Sequence, residues 1–245
     1  TSIGVALLPR DGTDQEELLR KADLAMYAAK RSGERVRFFE PELSEVAVRR
    51  AEMEADLRQA LSRGQITVVY QPVVDRGARP LGYEALARWI HPERGEVPPE
   101  TFIPIAEESG LIAELGHNVL HRACMDLASR IHPIAADLFV SVNVSALQLR
   151  NESFAADVLR TLQTAQLDPR FLTLELTESG LMENSSAARA NLETLQAEGV
   201  RVAIDDFGAG HSSLSQLRRL AAEIVKVDRS LVADQRLAGR NVGGQ

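Results

Sequence analysis

The chain has 245 residues, 44% hydrophobic and 26% charged, long enough for one large domain or two smaller ones. A formal charge of −7, with no basic run longer than two residues, argues against a face that tracks polymeric nucleic acid, though not against a small anionic ligand held through metal ions. Cys124 is the only cysteine, which rules out an internal disulfide and fits a reducing, cytoplasmic setting; no apolar run approaches the roughly 18 residues of a membrane span.

The first residues, TSIGVALL, read as a strand over 3–8, entered in mid-element and without an initiator Met, so a longer parent protein is expected. A membrane anchor or an upstream sensor domain in that parent stays open. A turn at 9–13 leads to a helix over 14–32 closed by Gly33, and a short apolar stretch follows at 36–39. Pro41 breaks the chain before a charged helix, 44–63, with an apolar stripe of Val46, Met53, Leu57, Ala60 and Leu61.

From residue 66 onward, strand-like runs at 66–74, 81–89, 138–144, 172–177, 201–204 and 223–227 alternate with helical stretches at 99–107, 117–130, 152–165, 185–198 and 212–220. Several strands are almost continuously apolar, as strands covered on both faces are. The alternation predicts an α/β fold of mostly parallel strands joined by right-handed crossovers, either a barrel or an open doubly wound sheet. Six strands are found, and only eighteen residues follow Val227, too few for the last two strands of an eight-stranded barrel.

Acidic or amide residues recur at or near the C-terminal ends of these strands: Glu84 in YEALARW, Asn143 in SVNVS, Glu175 and Glu178 in LELTES, Asp205 and Asp206 in IDDFG, Lys226 and Asp228 in VKVDRS. The C-terminal rim of a parallel barrel is where active sites assemble. Glu175 alternates with Leu174 and Leu176, so it faces away from them with Thr173 and Thr177 and needs a partner there. Converging oxygen ligands with few His or Cys candidates suit a hard divalent cation. Adjacent aspartates can serve two ions at once; alone they would read as a turn. His117 and His121, at i and i+4 without a third ligand, read as an exposed helix face, and Cys124 as a small buried helix residue.

EALARW, SVNVSALQL, LELTES, AIDDFGAGHSSL and VKVDRSLV, with YQPVVD, closely resemble the EAL-domain family of cyclic di-GMP phosphodiesterases, in the family's order across about residues 44–235. The resemblance implies a TIM-like (β/α) barrel, here incomplete at about six of eight strands, that linearises cyclic di-GMP to pGpG with two Mg²⁺ or Mn²⁺ ions. By position, Glu84, Asn143, Glu175 and Asp205 match its metal ligands, Asp206 the residue serving the second metal, and Lys226 the residue near the attacking water. Glu178 matches the carboxylate anchoring the loop after Asp206. Gln71, Leu86 and Arg88 match substrate-contacting positions, with which Asp228 is grouped. The family also allows a homodimer near its fifth and sixth strands.

Residues 1–40, through SIGVALLP and ADLAMYAAKRSGERV, resemble the end of a GGDEF (diguanylate cyclase) domain and form a small α/β remnant. The expected division is therefore 1–40 and 41–245, from a tandem GGDEF–EAL protein. His211 and Leu231 stand where the family has aromatic residues. The family's later metal-binding Glu finds no counterpart in ADQRLAGRNVGGQ, which keeps open a module that binds cyclic di-GMP without cutting it.

Overall fold

Asp14 starts the first long helix, α1 (Gln15–Ser32), by accepting from the amides of Glu16 (2.9 Å) and Glu17 (3.2 Å), and Gly33 ends it in the left-handed region at φ 72°. The helix joins two short parallel strands, β1 (Ile3–Val5) and β2 (Val36–Phe38). β1 stops short of the expected Leu8, because Leu7 and Asp11 close a turn: the Leu7 amide donates to Asp11 Oδ2, and the Asp11 amide to Leu7 O, both at 2.7 Å. Helix α2 (Pro41–Ser62) begins at Pro41 itself rather than after it, since a missing N–H costs nothing at the first helical position. The computed structural model describes residues 1–177, 185–208 and 223–227, and the chain divides into units Thr1–Gln59 and Ala60–Gln245.

The second unit opens on a hairpin. β3 (Ile66–Val74) and β4 (Pro80–His91) pair antiparallel with Gln71 opposite Glu84, departing from the parallel strand–crossover pattern. The link is too short for a crossover. Asp75 closes it, accepting from the amides of Gly77 (2.7 Å) and Arg79 (3.0 Å). A short strand unforeseen from the sequence, β5 (Gly95–Val97), runs antiparallel to the end of β4.

The remaining strands, β6 (Phe139–Asn143), β7 (Leu172–Thr177), β8 (Arg201–Phe207) and β9 (Ile224–Val227), follow β4 in parallel, in the order β3-β4-β6-β7-β8-β9. Among the described residues this path does not close. Between the strands lie α3 (Pro99–Glu108), α4 (Ile112–Asp126) with a π-helical turn at Leu127–Ile131, α5 (Ala146–Leu149), α6 (Phe154–Ala165) and α7 (Ser186–Ala197). The helix expected over 117–130 starts five residues earlier; that expected over 212–220 lies outside the described residues.

Strand alternation sorts the sheet into two faces. Val140, Val142, Leu172, Leu174, Leu176, Val202 and Ile204 are buried on the outer face, together with Leu115, Leu120, Leu162 and Leu195 of the helices. Ser141, Thr173 and Glu175 are buried on the inner one. Trp89 is fully buried and meets Phe102 edge-on at 5.9 Å between ring centres. Tyr70 on β3 donates to Asp126 Oδ2 at 2.9 Å, and Arg122 and Arg130 pair with the same carboxylate. His117 and His121 are both exposed, Cys124 is buried, and among the described residues no helix is long and apolar enough to cross a membrane.

Candidate active site

Parallel register brings the inner-face polar residues to one end of the sheet. Glu84 pairs with Ser141, Asn143 with Glu175, and Thr177 with Asp205. Glu84, Glu175 and Asp205 each present a carboxylate oxygen, all within 4.8 Å of one another. The Lys226 ammonium reaches Glu175 Oε2 at 2.6 Å, Glu84 Oε2 at 3.0 Å and Asp205 Oδ2 at 3.3 Å. Asn143 Nδ2 donates to Glu84 Oε1 at 3.0 Å. Five of the residues singled out in the sequence, each on a different strand, therefore meet at one point.

The adjacent aspartates do not point the same way. The register of β8 and β9 slips between Ile204 and Phe207: three steps along β8 match two along β9, from Val225 to Val227. The extra residue makes a bulge at the paired aspartates. Asp205 turns inward to Lys226, whereas Asp206 is exposed at φ 54°, its amide donating to Asp205 Oδ1 at 3.0 Å. A bulge next to a site re-aims a side chain, and here it divides two carboxylates that a regular strand would also send to opposite faces.

Charge in this cluster is unbalanced. Glu175 is only 4% exposed; burial pushes its carboxyl above the ordinary glutamate value, partly offset by its bond from Lys226. Burial also works against the Lys226 charge, but the bonds to Glu175 and Glu84 outweigh it and hold the ammonium protonated well above the ordinary lysine range. One ammonium cannot neutralise three carboxylates. An all-oxygen donor set with excess negative charge fits a hard divalent cation, with Glu84, Glu175, Asp205 and the Asn143 amide oxygen as the groups able to hold it.

Gln71, Leu86 and Arg88 lie on the same face as Glu84. Gln71 is its cross-strand neighbour, and Leu86 and Arg88 follow it at alternate positions opposite Val69 and Thr67. The pairing of β4 with β6 ends at Ala85–Val142, so Leu86 and Arg88 stand on the part of β4 that runs past β6. Arg88 is half-buried, with Nη1 donating to Ala87 O at 2.9 Å and Nε 3.6 Å from Glu96. Glu178, Asp228, His211 and Leu231 lie outside the described residues.

Residues 54–242 match the EAL domain family. The chain belongs to that family. MucR of Pseudomonas aeruginosa, a bifunctional diguanylate cyclase/cyclic di-GMP phosphodiesterase, is 42% identical over 233 residues, 94% of this chain and 34% of that protein. The cyclic di-GMP phosphodiesterase NbdA of the same organism is 43% identical over 238 residues, 95% of this chain and 30% of that one. A solved complex of the PaMucR phosphodiesterase with c-di-GMP matches at 41% identity and a TM-score of 0.71, covering 76% of this chain and 75% of that one. The chain spans about a third of the length of these curated relatives. Its EAL domain has the TIM-like barrel fold of its structural neighbours, with the strand path open among the described residues.

What sequence reading missed in this EAL domain is the support beneath Asn143. Ser145 and Gln148 form a reciprocal cap at the start of α5, and the spacing Ser-x-x-Gln in SVNVSALQL is the signal that could have found it. The part of α3 in this corner carries no comparable signature.

Proposed function

We propose that the EAL domain of this chain hydrolyses cyclic di-GMP to linear pGpG. The observation carrying the proposal is the convergence of Glu84, Glu175 and Asp205 on Lys226, with Asn143 beside them. Two divalent cations, Mg²⁺ or Mn²⁺, held by Glu84, Asn143, Glu175, Asp205 and Asp206, would supply a deprotonated water and charge stabilisation at the phosphoryl oxygens. In the reaction the water oxygen bonds to one phosphorus and the bond from that phosphorus to the ribose 3′ oxygen breaks. The 3′ oxygen leaves as a hydroxyl after taking a proton, and the product keeps a 5′ phosphate.

The chain's own residues orient and stabilise. Lys226, fixed by two carboxylates, presents a permanent positive charge beside the site and positions the attacking water or offsets charge developing on the phosphate. Gln71, Leu86 and Arg88 form the wall that takes the dinucleotide, Arg88 through its guanidinium and Leu86 through apolar contact. By their positions in the family motifs, Glu178 and Asp228 are assigned to the same site. We assign residues 1–40 to the end of a GGDEF domain and 41–245 to the EAL domain of a tandem signalling protein acting in the cytoplasm, with a sensor upstream and a homodimer through the EAL domain.

The test is product analysis. Purified chain with Mg²⁺ should release pGpG from cyclic di-GMP, a chelator should stop the release, and Glu84→Ala or Asp205→Asn should abolish it. Release that survives these substitutions sinks the assignment. Tight nucleotide binding without turnover would instead establish a cyclic di-GMP receptor.

A further inference from the structure

The geometry points to Glu107 as a positioning residue for Asn143, acting through Ser145; the inference rests on the phosphodiesterase reading above. Asn143 ends β6, yet the next amide, that of Val144, still donates to Glu175 O at 2.8 Å. The chain leaves the sheet only at Ser145. There the Ser145 amide donates to Gln148 Oε1 at 3.0 Å, and Ser145 Oγ accepts from the Leu147 amide at 3.3 Å. The one proton of the Ser145 hydroxyl goes to Glu107 Oε1 at 2.6 Å, a short charge-assisted bond.

Glu107 lies in the last turn of α3, which carries no basic residue. A carboxylate there opposes the helix dipole, so the position brings α3 no electrostatic benefit. Its effect falls instead on the corner between β6 and α5. From the other side, Gly116 of α4 leaves the room that the Gln148 amide fills; a Cβ at Gly116 would collide with it. Gln148 is only 7% exposed. Three helices outside the sheet thus fix the corner next to Asn143. The Asn143 side chain is exposed and has little packing of its own, so its aim toward Glu84 depends on that corner. Groups that orient ligand side chains from behind typically change metal affinity or activity 10- to 100-fold when removed.

The test is a double-mutant cycle in the whole chain: Glu107→Ala, Ser145→Ala, both together, and Glu107→Gln as the conservative variant. Mn²⁺ affinity by calorimetry and kcat for cyclic di-GMP should each fall about tenfold in Glu107→Ala, with KM nearly unchanged. Glu107→Gln should recover most of the loss, because its amide oxygen still accepts from Ser145. The double variant should be no worse than the weaker single. Hydrogen exchange at the Val144 and Leu147 amides should accelerate in Glu107→Ala while Leu174 keeps its protection. Parent-like Mn²⁺ affinity in Glu107→Ala, or losses that multiply in the double variant, overturn the proposal. If Glu107→Ala does not fold, Ser145→Ala and Glu107→Gln give the same comparison. A parent chain that neither binds Mn²⁺ nor releases pGpG sinks the phosphodiesterase reading instead; the exchange measurement then decides on Glu107, and unaltered exchange at Val144 and Leu147 overturns it.

Discussion

The ammonium of Lys226 lies 2.6 Å from Glu175 Oε2, tying β7 to β9, the last described strand of the parallel run, in one charge cluster across 51 positions of sequence. Removing that ammonium leaves three carboxylates facing one another. Lys226→Met should therefore destabilise the metal-free chain by about 1–2 kcal/mol near neutral pH, below the value for a fully buried pair because Lys226 keeps contact with solvent. The pH dependence follows from Glu175, whose carboxyl sits above its ordinary value of 4.5 because of burial. A raised carboxyl stabilises the fold when protonated; that contribution is complete below 4.5 and is lost as pH rises through the folded value. Without Lys226 the loss deepens. The Tm gap between parent and variant, measured with a chelator present, should be small near pH 4.5 and widen toward about pH 8. A gap independent of pH would contradict this role for Lys226.

Asp206 holds the left-handed region at φ 54°, a conformation that costs most residues about 1–2 kcal/mol. Asp206→Gly should leave stability unchanged or raise it by up to about 1 kcal/mol, whereas Asp206→Val should lower it by about 1–2 kcal/mol. If the carboxylate serves the second metal, both variants and Asp206→Asn should lose hydrolysis by about 10–100-fold. Urea titration and pGpG release separate the two effects. Full activity in Asp206→Gly would confine Asp206 to a backbone role.

Much of this was legible in the sequence, for definite reasons. The apolar residues that alternate along β6 and β7, and the short apolar run of β8, are there because helices cover the outer face of the sheet, and Glu175 between Leu174 and Leu176 could only face inward. Parallel register then carries inward residues of neighbouring strands to one end, so Glu84, Asn143, Glu175, Asp205 and Lys226 could be grouped by strand position alone. The hairpin of β3 and β4 was hidden because Asp75–Arg79 holds no Asn-Gly or Asp-Gly signal; its turn depends on the Asp75 side chain and on Ala78 at φ 61°. The bulge at Asp205–Asp206 was hidden for a different reason. A two-for-one register slip is a property of the strand pair, and one strand's sequence does not contain it. Glu107 escaped because a helix-end glutamate has no pattern until Ser145 is seen beside it.

Tyr70 faces away from the carboxylates, toward Asp126, its phenol pushed upward first by burial and then by that carboxylate. Tyr70→Phe removes one donor and leaves Asp126 with Arg122 at 2.8 Å and Arg130 at 3.3 Å. The expected cost is about 1–2 kcal/mol, a fall in Tm of several degrees for a chain of this size. Turnover per folded molecule should not change. A kcat that falls with Tm unmoved would instead tie this contact to the neighbouring Gln71.

Cys124 offers a probe of unfolding that leaves the active site untouched. It is fully buried in α4, and burial pushes its thiol up to about 12. Thiolate is the reactive form, so at neutral pH both access and ionisation oppose reaction in the folded state. A disulfide reagent should label the folded chain slowly, at a rate set by opening, and the unfolded chain at once. Substitutions that destabilise the second unit, such as Trp89→Ala with an expected cost of about 3–5 kcal/mol, should speed labelling in proportion to the population opened. Those confined to the site, such as Asp205→Asn, should change it much less. Rapid labelling of the folded parent would mean that α4 opens locally without the rest of the barrel, and labelling would then report on that helix alone.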